Sequence, residues 1–193
     1  YSIRLKVRGG SFGLVSPSLQ YWQRLSQRLT MSVDGSYLRA DGVYPFTLKN
    51  GMLKTTEKRY NSDIKSWRGE ANFYYTFNDS SELDTKIYYY YSQRGLPGVV
   101  VLYNSDANER LWDENFFAQS SYKKKISDQW DLRAHLKYDH SWNRYEDVNV
   151  KYTDNKQVDV DRQDEYYGSA TIGWHPINNF SMSLAQDLAI NSL

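Results

Sequence analysis

Asp139, His140 and Ser141 are the adjacent residues of this sequence whose types most resemble a hydrolytic centre. A nucleophilic serine needs its base within hydrogen-bond reach of the hydroxyl. The three residues lie, however, in a segment in which apolar and polar residues alternate, and successive residues of a β-strand point to opposite faces. His140 and Ser141 therefore point apart, and the sequence predicts no catalytic residue and no enzyme.

Metal binding is the second chemistry that the residue types could support. The chain has no Cys, which excludes thiolate sites, and its three His residues are scattered and predicted to be ordinary surface residues. Calcium prefers several converging oxygen ligands. Carboxylates gather in or beside the predicted loops, but EF-hand spacing is absent and loop solvation explains them. The sequence predicts no cofactor and leaves a structural calcium site open, with three weak candidates: Asp41, Asp63 and Asp106.

Long amphipathic strands are predicted to carry these residues. From Trp67 to Phe77 every second residue is small or apolar, and most of the residues between them are polar. This period of two recurs along the chain and is typical of strands with one apolar face. Most of the runs reach the roughly 9 to 11 residues that cross a bilayer at a tilt. The pattern predicts nine strands, at 1–9, 14–24, 28–40, 64–77, 82–93, 112–124, 129–142, 162–174 and 180–193.

The composition excludes several classes of protein. Aromatic residues make up 16% of the chain, and the mean hydropathy is −0.77. No apolar run approaches the ~20 residues of a transmembrane helix, so a membrane-spanning form of this chain has to be a closed sheet. The net charge of +1 gives no basic excess to neutralise phosphates, and no nucleic-acid partner is expected.

The predicted connections alternate between short and long, which is typical of an antiparallel outer-membrane barrel with short turns at one end and long loops at the other. Short turns are predicted at 25–27, 78–81, 126–129 and 175–179, and longer segments at 41–65, 94–110 and 142–162, with a very short one at 9–13. Five Trp residues fall near strand ends in the apolar register, as two interfacial aromatic rings require: Trp67, Trp112, Trp130, Trp142 and Trp174. Trp22 is the exception, because its position in the predicted strand 14–24 places it on the polar face.

The two faces are predicted to meet lipid and a wet lumen respectively. The outward set includes Trp67, Phe73, Leu132, Leu136 and Ile172, and the lumenal set includes Arg68, Asn72, Arg133 and Lys137. Charges on the lumenal face are expected to neutralise one another across strands. These charges are Arg4, Lys6, Arg68, Glu70, Asp84, Lys86, Asp131, Arg133 and Lys137.

Three segments resemble the early barrel of TonB-dependent outer-membrane receptors: Arg8–Gly13 (RGGSFG), Tyr37–Phe46 (YLRADGVYPF) and Tyr90–Gly98 (YYSQRGLPG). The composition of the chain, rich in Tyr, Asn, Asp and Lys, resembles that of receptors from Bacteroidetes, and most of all that of their vitamin B12 transporter branch. The resemblance implies an all-β, up-and-down meander that contributes about nine strands to a plugged barrel of about 22. Residues 1–193 would form one partial transmembrane barrel domain, without the N-terminal plug and the remaining strands.

The same resemblance implies a function and partners. The parent protein would lie in the cell outer membrane and take up a scarce nutrient actively, either cobalamin or a related corrinoid, or an iron chelate. Its partners would be that ligand, outer-membrane lipid, the TonB complex reached through the plug and its TonB box, and a surface lipoprotein. Some relatives of this branch order their loops with calcium, which is why the calcium site stays open.

Ligand contact is predicted on the long loops, because barrel closure fixes the strands and leaves variation to the loops. Aromatic and Arg side chains there can stack on a bulky polar ligand and donate charge-assisted hydrogen bonds. The predicted ligand-binding residues are Tyr44, Phe46, Arg59, Tyr60, Arg94, Tyr103, Arg110 and Tyr145.

Two other functions fit the alternation. One is a different outer-membrane barrel, such as a porin or an adhesin, and a plug domain encoded upstream would separate a transporter from it. The other is a soluble β-rich module with a Tyr-lined surface for carbohydrate, which detergent dependence would separate from a membrane protein.

Overall fold

The computed structural model describes residues 1–98, 107–149, 151–177 and 179–193, and its secondary structure consists of β-strands. No helix in these ranges is long and apolar enough to cross a membrane. The strands are β1 (Ser2–Gly10), β2 (Leu14–Arg24), β3 (Leu29–Ala40), β4 (Tyr44–Asn50), β5 (Leu53–Arg59), β6 (Ile64–Thr76), β7 (Glu82–Leu96), β8 (Glu109–Lys125), β9 (Trp130–Val148), β10 (Lys156–Ile177) and β11 (Phe180–Ser192).

Nine of these strands form one antiparallel sheet in the order β1-β2-β3-β6-β7-β8-β9-β10-β11. Each strand pairs with the next one along the chain, except that β4 and β5 form a separate hairpin inserted between β3 and β6. The predicted up-and-down meander is therefore confirmed. Connections of two to five residues join the strands at one end, which we call the short-turn end. The opposite end, the loop end, carries the β1–β2 turn, the β4–β5 hairpin and the two connections after β7 and β9.

The register confirms the predicted division into two faces. Residues that lie opposite one another in paired strands share a face, and Trp67 lies opposite Tyr37 and Tyr91 while Arg68 lies opposite Ser36 and Tyr90. The pairing can be followed from each strand to the next across the sheet. All members of the predicted outward set then lie on one face, and all nine predicted lumenal charges lie on the other. Trp22 lies on the polar face, as its parity predicts.

We call the polar face the concave face and the apolar face the convex face, in the sense in which a barrel wall bends around a wet lumen. Two hollows of about 590 and 340 Å³ lie on the concave face, lined mainly by lumenal residues of β6 to β10 and of β1 to β3, and one of about 430 Å³ lies on the convex face between β8 and β11. The side chains of the convex face are open: Leu136 is 67% exposed and Leu184 is 77% exposed. No hydrophobic side chain in the described ranges is buried. The apolar face therefore has no protein layer over it, as expected where lipid is its solvent.

Two predicted loops contain more strand than expected. Within 41–65, residues 44–50 and 53–59 pair as β4 and β5, a hairpin that the prediction missed. The predicted connection at 142–162 is also mostly wrong, because β9 runs to Val148 and β10 begins at Lys156. On β9 the outward positions between Trp142 and Val148 are Arg144 and Glu146, so the alternation of polarity stops there while the pairing continues. On β10, Val158 and Val160 still alternate with polar residues, a continuation that the prediction missed.

Candidate functional site

Aromatic side chains form two bands on the convex face. Near the short-turn end, Trp130 and Trp174 stack with ring centroids 5.8 Å apart, and Phe180 meets Trp174 edge-on at 6.4 Å. Toward the loop end, Tyr37, Trp67 and Tyr91 follow one another at 5.4 and 5.7 Å across β3, β6 and β7. This second band continues on the next strands, with Phe116, Tyr138 and Tyr166 at spacings of 6.2 and 4.9 Å.

The middle of the concave wall is a network in which charges neutralise one another. Lys86 pairs with Glu70 at 3.0 Å, and Lys137 lies 3.1 Å from Asp139 and 3.6 Å from Glu165. Between the two lysines the rings of Tyr88 and Phe117 stack at 4.8 Å. This part of the wall therefore offers matched donors and acceptors with an aromatic platform between them.

Asp113 organises the upper part of the concave wall. Its carboxylate accepts hydrogen bonds from Asn143 Nδ2 at 2.6 Å and Ser92 Oγ at 3.3 Å, and it pairs with Arg94 at 3.1 Å. Register places Arg94 and Asp113 on the concave face, and the Arg94 Nε is buried without a partner among the described residues. Arg94 is thus positioned by the wall, and 43% of its side chain remains exposed.

The turn after β9 folds against the same face. Asp147, only 3% exposed, accepts from Tyr152 Oη at 2.9 Å and pairs with Lys151 at 3.0 Å. The hydrogen bond from Lys151 lowers the pKa of Asp147 below its ordinary value. Burial and the neighbouring carboxylates of Glu109 and Asp147 raise the pKa of Tyr145, so Tyr145 stays a neutral donor in the upper wall.

The connection before β6 is fastened to the rim formed by β7 and β8. Asn61 Nδ2 donates to the carbonyls of Leu96 and Glu109 at 2.9 and 2.8 Å. Arg110 binds both carboxylate oxygens of Asp63, at 2.7 and 3.2 Å, and this contact lowers the pKa of Asp63. Gly95 makes the approach possible, because a Cβ there would stand 2.5 Å from the Asn61 carbonyl oxygen.

The β1–β2 turn is fastened to the connection between β3 and β4. Ser62 Oγ joins that connection to the one before β6 by donating to the Gly42 carbonyl at 2.7 Å. Phe12 and Gly13 both adopt left-handed backbone, with φ of 63° and 66°, a conformation that is uncommon for a bulky residue. Contacts compensate for it: the Phe12 carbonyl accepts from the Asp41 and Gly42 amides, and its ring lies 5.7 Å from that of Tyr44. The loop end is therefore a set of interlocked segments.

The structure separates the predicted ligand-binding residues into groups. Arg94 and Tyr145 line the concave wall, while Arg110 faces outward and Arg59 donates to the Gly98 carbonyl, so both of these arginines fasten loops. Tyr44 and Phe46 lie half-buried on β4, and Tyr60 is 60% exposed. Tyr103 lies outside the described residues.

The calcium candidates do not come together in the described part of the chain. Asp63 is held by Arg110, Asp41 lies against Gly13, and Asp106 is outside the described residues. No group of three or more His, Asp or Glu side chains within those ranges is arranged to hold a metal ion.

Comparison with known proteins bears on the fold alone. No protein-family model and no curated protein matches the sequence. Among solved structures, the chain is similar to the ferric-catecholate import receptor Fiu of E. coli K12, with a TM-score of 0.54 and 9% identity, over 90% of this chain and 35% of the receptor. OmpT, an outer membrane protein of Vibrio cholerae, matches 93% of this chain and 54% of its own at 13% identity. Its TM-score of 0.33 is too low to support an argument.

The chain has the fold of one section of an outer-membrane β-barrel wall. It spans about a third of the length of the matched receptor. In the barrel wall, the residues that sequence reasoning missed are Asn61, Asn115 and Asn143, which bind backbone or carboxylates across strands. Their parity in β8 and β9 could have assigned Asn115 and Asn143 to the concave face, but no sequence signal indicates the tertiary contacts of Asn61.

Proposed function

We propose that this barrel wall belongs to a TonB-dependent transporter of the outer membrane, and that its upper concave wall and interlocked loops contact the transported nutrient. One observation carries the proposal: a meander with an open aromatic-banded convex face surrounds a polar, hydrogen-bonded concave wall over nearly the whole chain. Such a wall suits a lumen filled by a polar protein domain and a passing polar ligand. No catalytic step is proposed.

The ligand class follows from the donors of the upper wall. Arg94 and Tyr145 face the concave side, and 43% of the Arg94 side chain is exposed there. A bulky ligand with carboxylate, amide or catecholate oxygens fits these donors, so a corrinoid or an iron chelate remains the proposed cargo. The remaining strands, a plug, the TonB complex acting through that plug, and a surface lipoprotein complete the proposed assembly.

Deleting the hairpin tests the ligand site. In the complete parent protein, removal of Val43 to Thr56 should weaken ligand binding, because this segment carries Tyr44 and Phe46 and supports the rim. Replacing the turn Asn78–Ser81 by another tight turn is the control and should leave affinity unchanged. Calorimetry that gives equal affinity for the hairpin-deleted and intact proteins would exclude this loop from the site.

Charge insertion tests the assignment of faces. Ala134→Arg places a cation on the convex face midway between Trp130 and Tyr138 of the two aromatic bands, and should lower the free energy of unfolding in a bilayer by about 2 to 4 kcal/mol. His135→Arg, one residue later on the concave face, is the matched control and should change it by less than about 0.5 kcal/mol. Equal effects of the two substitutions on unfolding in bilayers would contradict a lipid-facing convex side.

A further inference from the structure

Two cations lie directly opposite each other on the convex face, at the loop end. Arg39 of β3 pairs with Lys65 of β6, and both side chains are exposed. Each lies two residues beyond a member of the upper aromatic band, Tyr37 on β3 and Trp67 on β6. The pair therefore occupies the level just outside the band, where a bilayer has its headgroups.

No acidic side chain of the row compensates this pair. Like charges directly opposite in an antiparallel pair are destabilising. Val15 and Gln93 flank Arg39 and Lys65 in the same row. Asp63, two residues before Lys65, has both carboxylate oxygens bound by Arg110, and Lys65 adds only a weaker, longer-range attraction to that carboxylate. Within the described residues, neither Arg39 nor Lys65 takes part in an ion pair at 4.0 Å or less.

Elsewhere the sheet supplies the missing counter-charge itself. On the concave face, Asp139 and Glu165 are also like charges in directly opposite positions, and Lys137 bridges them at 3.1 and 3.6 Å. At the short-turn end, Lys124 on the convex face is neutralised by Asp79 at 2.9 Å. The Arg39–Lys65 pair departs from this arrangement of the nine-stranded sheet; in the separate β4–β5 hairpin, Lys49 and Lys54 also lie opposite each other.

We propose that Arg39 and Lys65 together bind the phosphate of a membrane-lipid headgroup, with Tyr37 and Trp67 packed beneath it. Arg offers a planar fork that matches phosphate oxygens, and Lys adds a point charge beside it. The anion has to come from outside the chain, because the residues that flank Arg39 and Lys65 across the strands, Val15 and Gln93, carry no negative charge. The inference rests on the proposed membrane function and adds a lipid site on the outer side of the barrel.

The test measures lipid retention by the complete barrel protein that carries this chain. The protein is reconstituted in phosphatidylcholine nanodiscs with or without phosphatidic acid, a lipid with an exposed phosphate, and retained lipid is counted by native mass spectrometry. Arg39→Gln combined with Lys65→Gln should reduce retention of phosphatidic acid by roughly tenfold, because hydrogen bonds between charged groups are lost.

The matched control is Arg4→Gln combined with Lys6→Gln, which removes one Arg and one Lys from the concave face and should leave retention unchanged. Lys65→Glu supplies a counter-charge within the row, and should lose the preference for phosphatidic acid while keeping its melting temperature in phosphatidylcholine. Equal retention by the double variant and the natural protein overturns the inference, as does an equal loss in the control. Full competition by inorganic phosphate overturns the assignment to lipid.

Insertion is scored first, by protease protection and heat-dependent electrophoretic migration. A protein that fails to insert into nanodiscs contradicts the proposed membrane function. A protein that inserts and shows no preference for phosphatidic acid contradicts only the lipid site.

Discussion

The short-turn end and the loop end hold their connections in place through contacts of different range. At the short-turn end, Ser26 Oγ accepts the amides of Arg28 and Leu29 at 3.2 and 3.0 Å, and Asp79 accepts the amide of Ser81 at 3.1 Å. At the loop end, Asn61 reaches residues 35 and 48 positions away. The short turns thus form local hydrogen bonds of their own, to which longer contacts such as Asp79–Lys124 at 2.9 Å and His175–Asp131 at 2.7 Å are added. The connection at Asn61 is held by long-range contacts to β7 and β8, so we expect it to depend more on the assembled rim.

Among the substitutions that test this difference between the two ends, Gly95→Ala is expected to change the free energy of unfolding most. Its new Cβ would overlap the Asn61 backbone, and we expect a loss of about 2 kcal/mol in the free energy of unfolding, together with release of the 60–63 segment. Gly69→Ala, on β6 with nothing within 4 Å of its Cβ, is the control and should be neutral. Equal unfolding curves in denaturant for the two variants would show that Asn61 is not clamped at Gly95.

A smaller effect is expected from Arg110→Gln. The substitution removes the two hydrogen bonds to Asp63, and because both side chains are partly exposed we expect a loss of about 1 kcal/mol. Limited proteolysis should show faster cleavage between 41 and 63, while cleavage at the short turns stays unchanged. Faster cleavage at both ends would break the comparison, since it would mean that the rim also supports the short turns.

Acid should release the same contact. The hydrogen bond from Arg110 lowers the pKa of Asp63, so its stabilisation is fully present above the ordinary value of 3.8 and is lost as pH falls below it. A spin label at Met52→Cys, unique because the chain has no Cys, should become more mobile in that range. Asp63→Asn removes the titrating carboxylate, and its label should respond less to pH. An identical pH response in both proteins would assign the change to another group.

The smallest effect is expected at the short-turn end. Lys125→Gln breaks an exposed ion pair with Asp128 three residues away and should change the free energy of unfolding by less than about 0.5 kcal/mol. Thermal unfolding of Lys125→Gln and of Arg110→Gln compares the stability lost with the local Lys125–Asp128 contact and with the long-range Arg110–Asp63 contact. A larger loss for Lys125→Gln would reverse the order proposed for the two ends.

The sheet could be predicted from the sequence because alternation is strong wherever lipid lies on one side and the lumen on the other. The prediction fails at the loop end: after Trp142 the outward face of β9 carries Arg144 and Glu146, and Pro45 argues against a strand at β4 because proline cannot donate to a strand ladder. The site could be predicted only in part for a related reason. Arg94 and Arg110 both flank one loop, but Gly95 pairs with Arg110, so the two arginines face opposite sides. This register depends on strand pairing that no local pattern reveals.

The strands at the loop end stop at different heights. The β1–β2 hairpin stops at Gly10, in the row of Tyr145, whereas β9 continues three residues farther to Val148, about 10 Å along the strand. The rim is therefore higher at β9 and β10 than at β1 and β2. A molecule that approaches the concave face from the loop end meets a taller polar wall on the β9–β10 side than on the β1–β2 side.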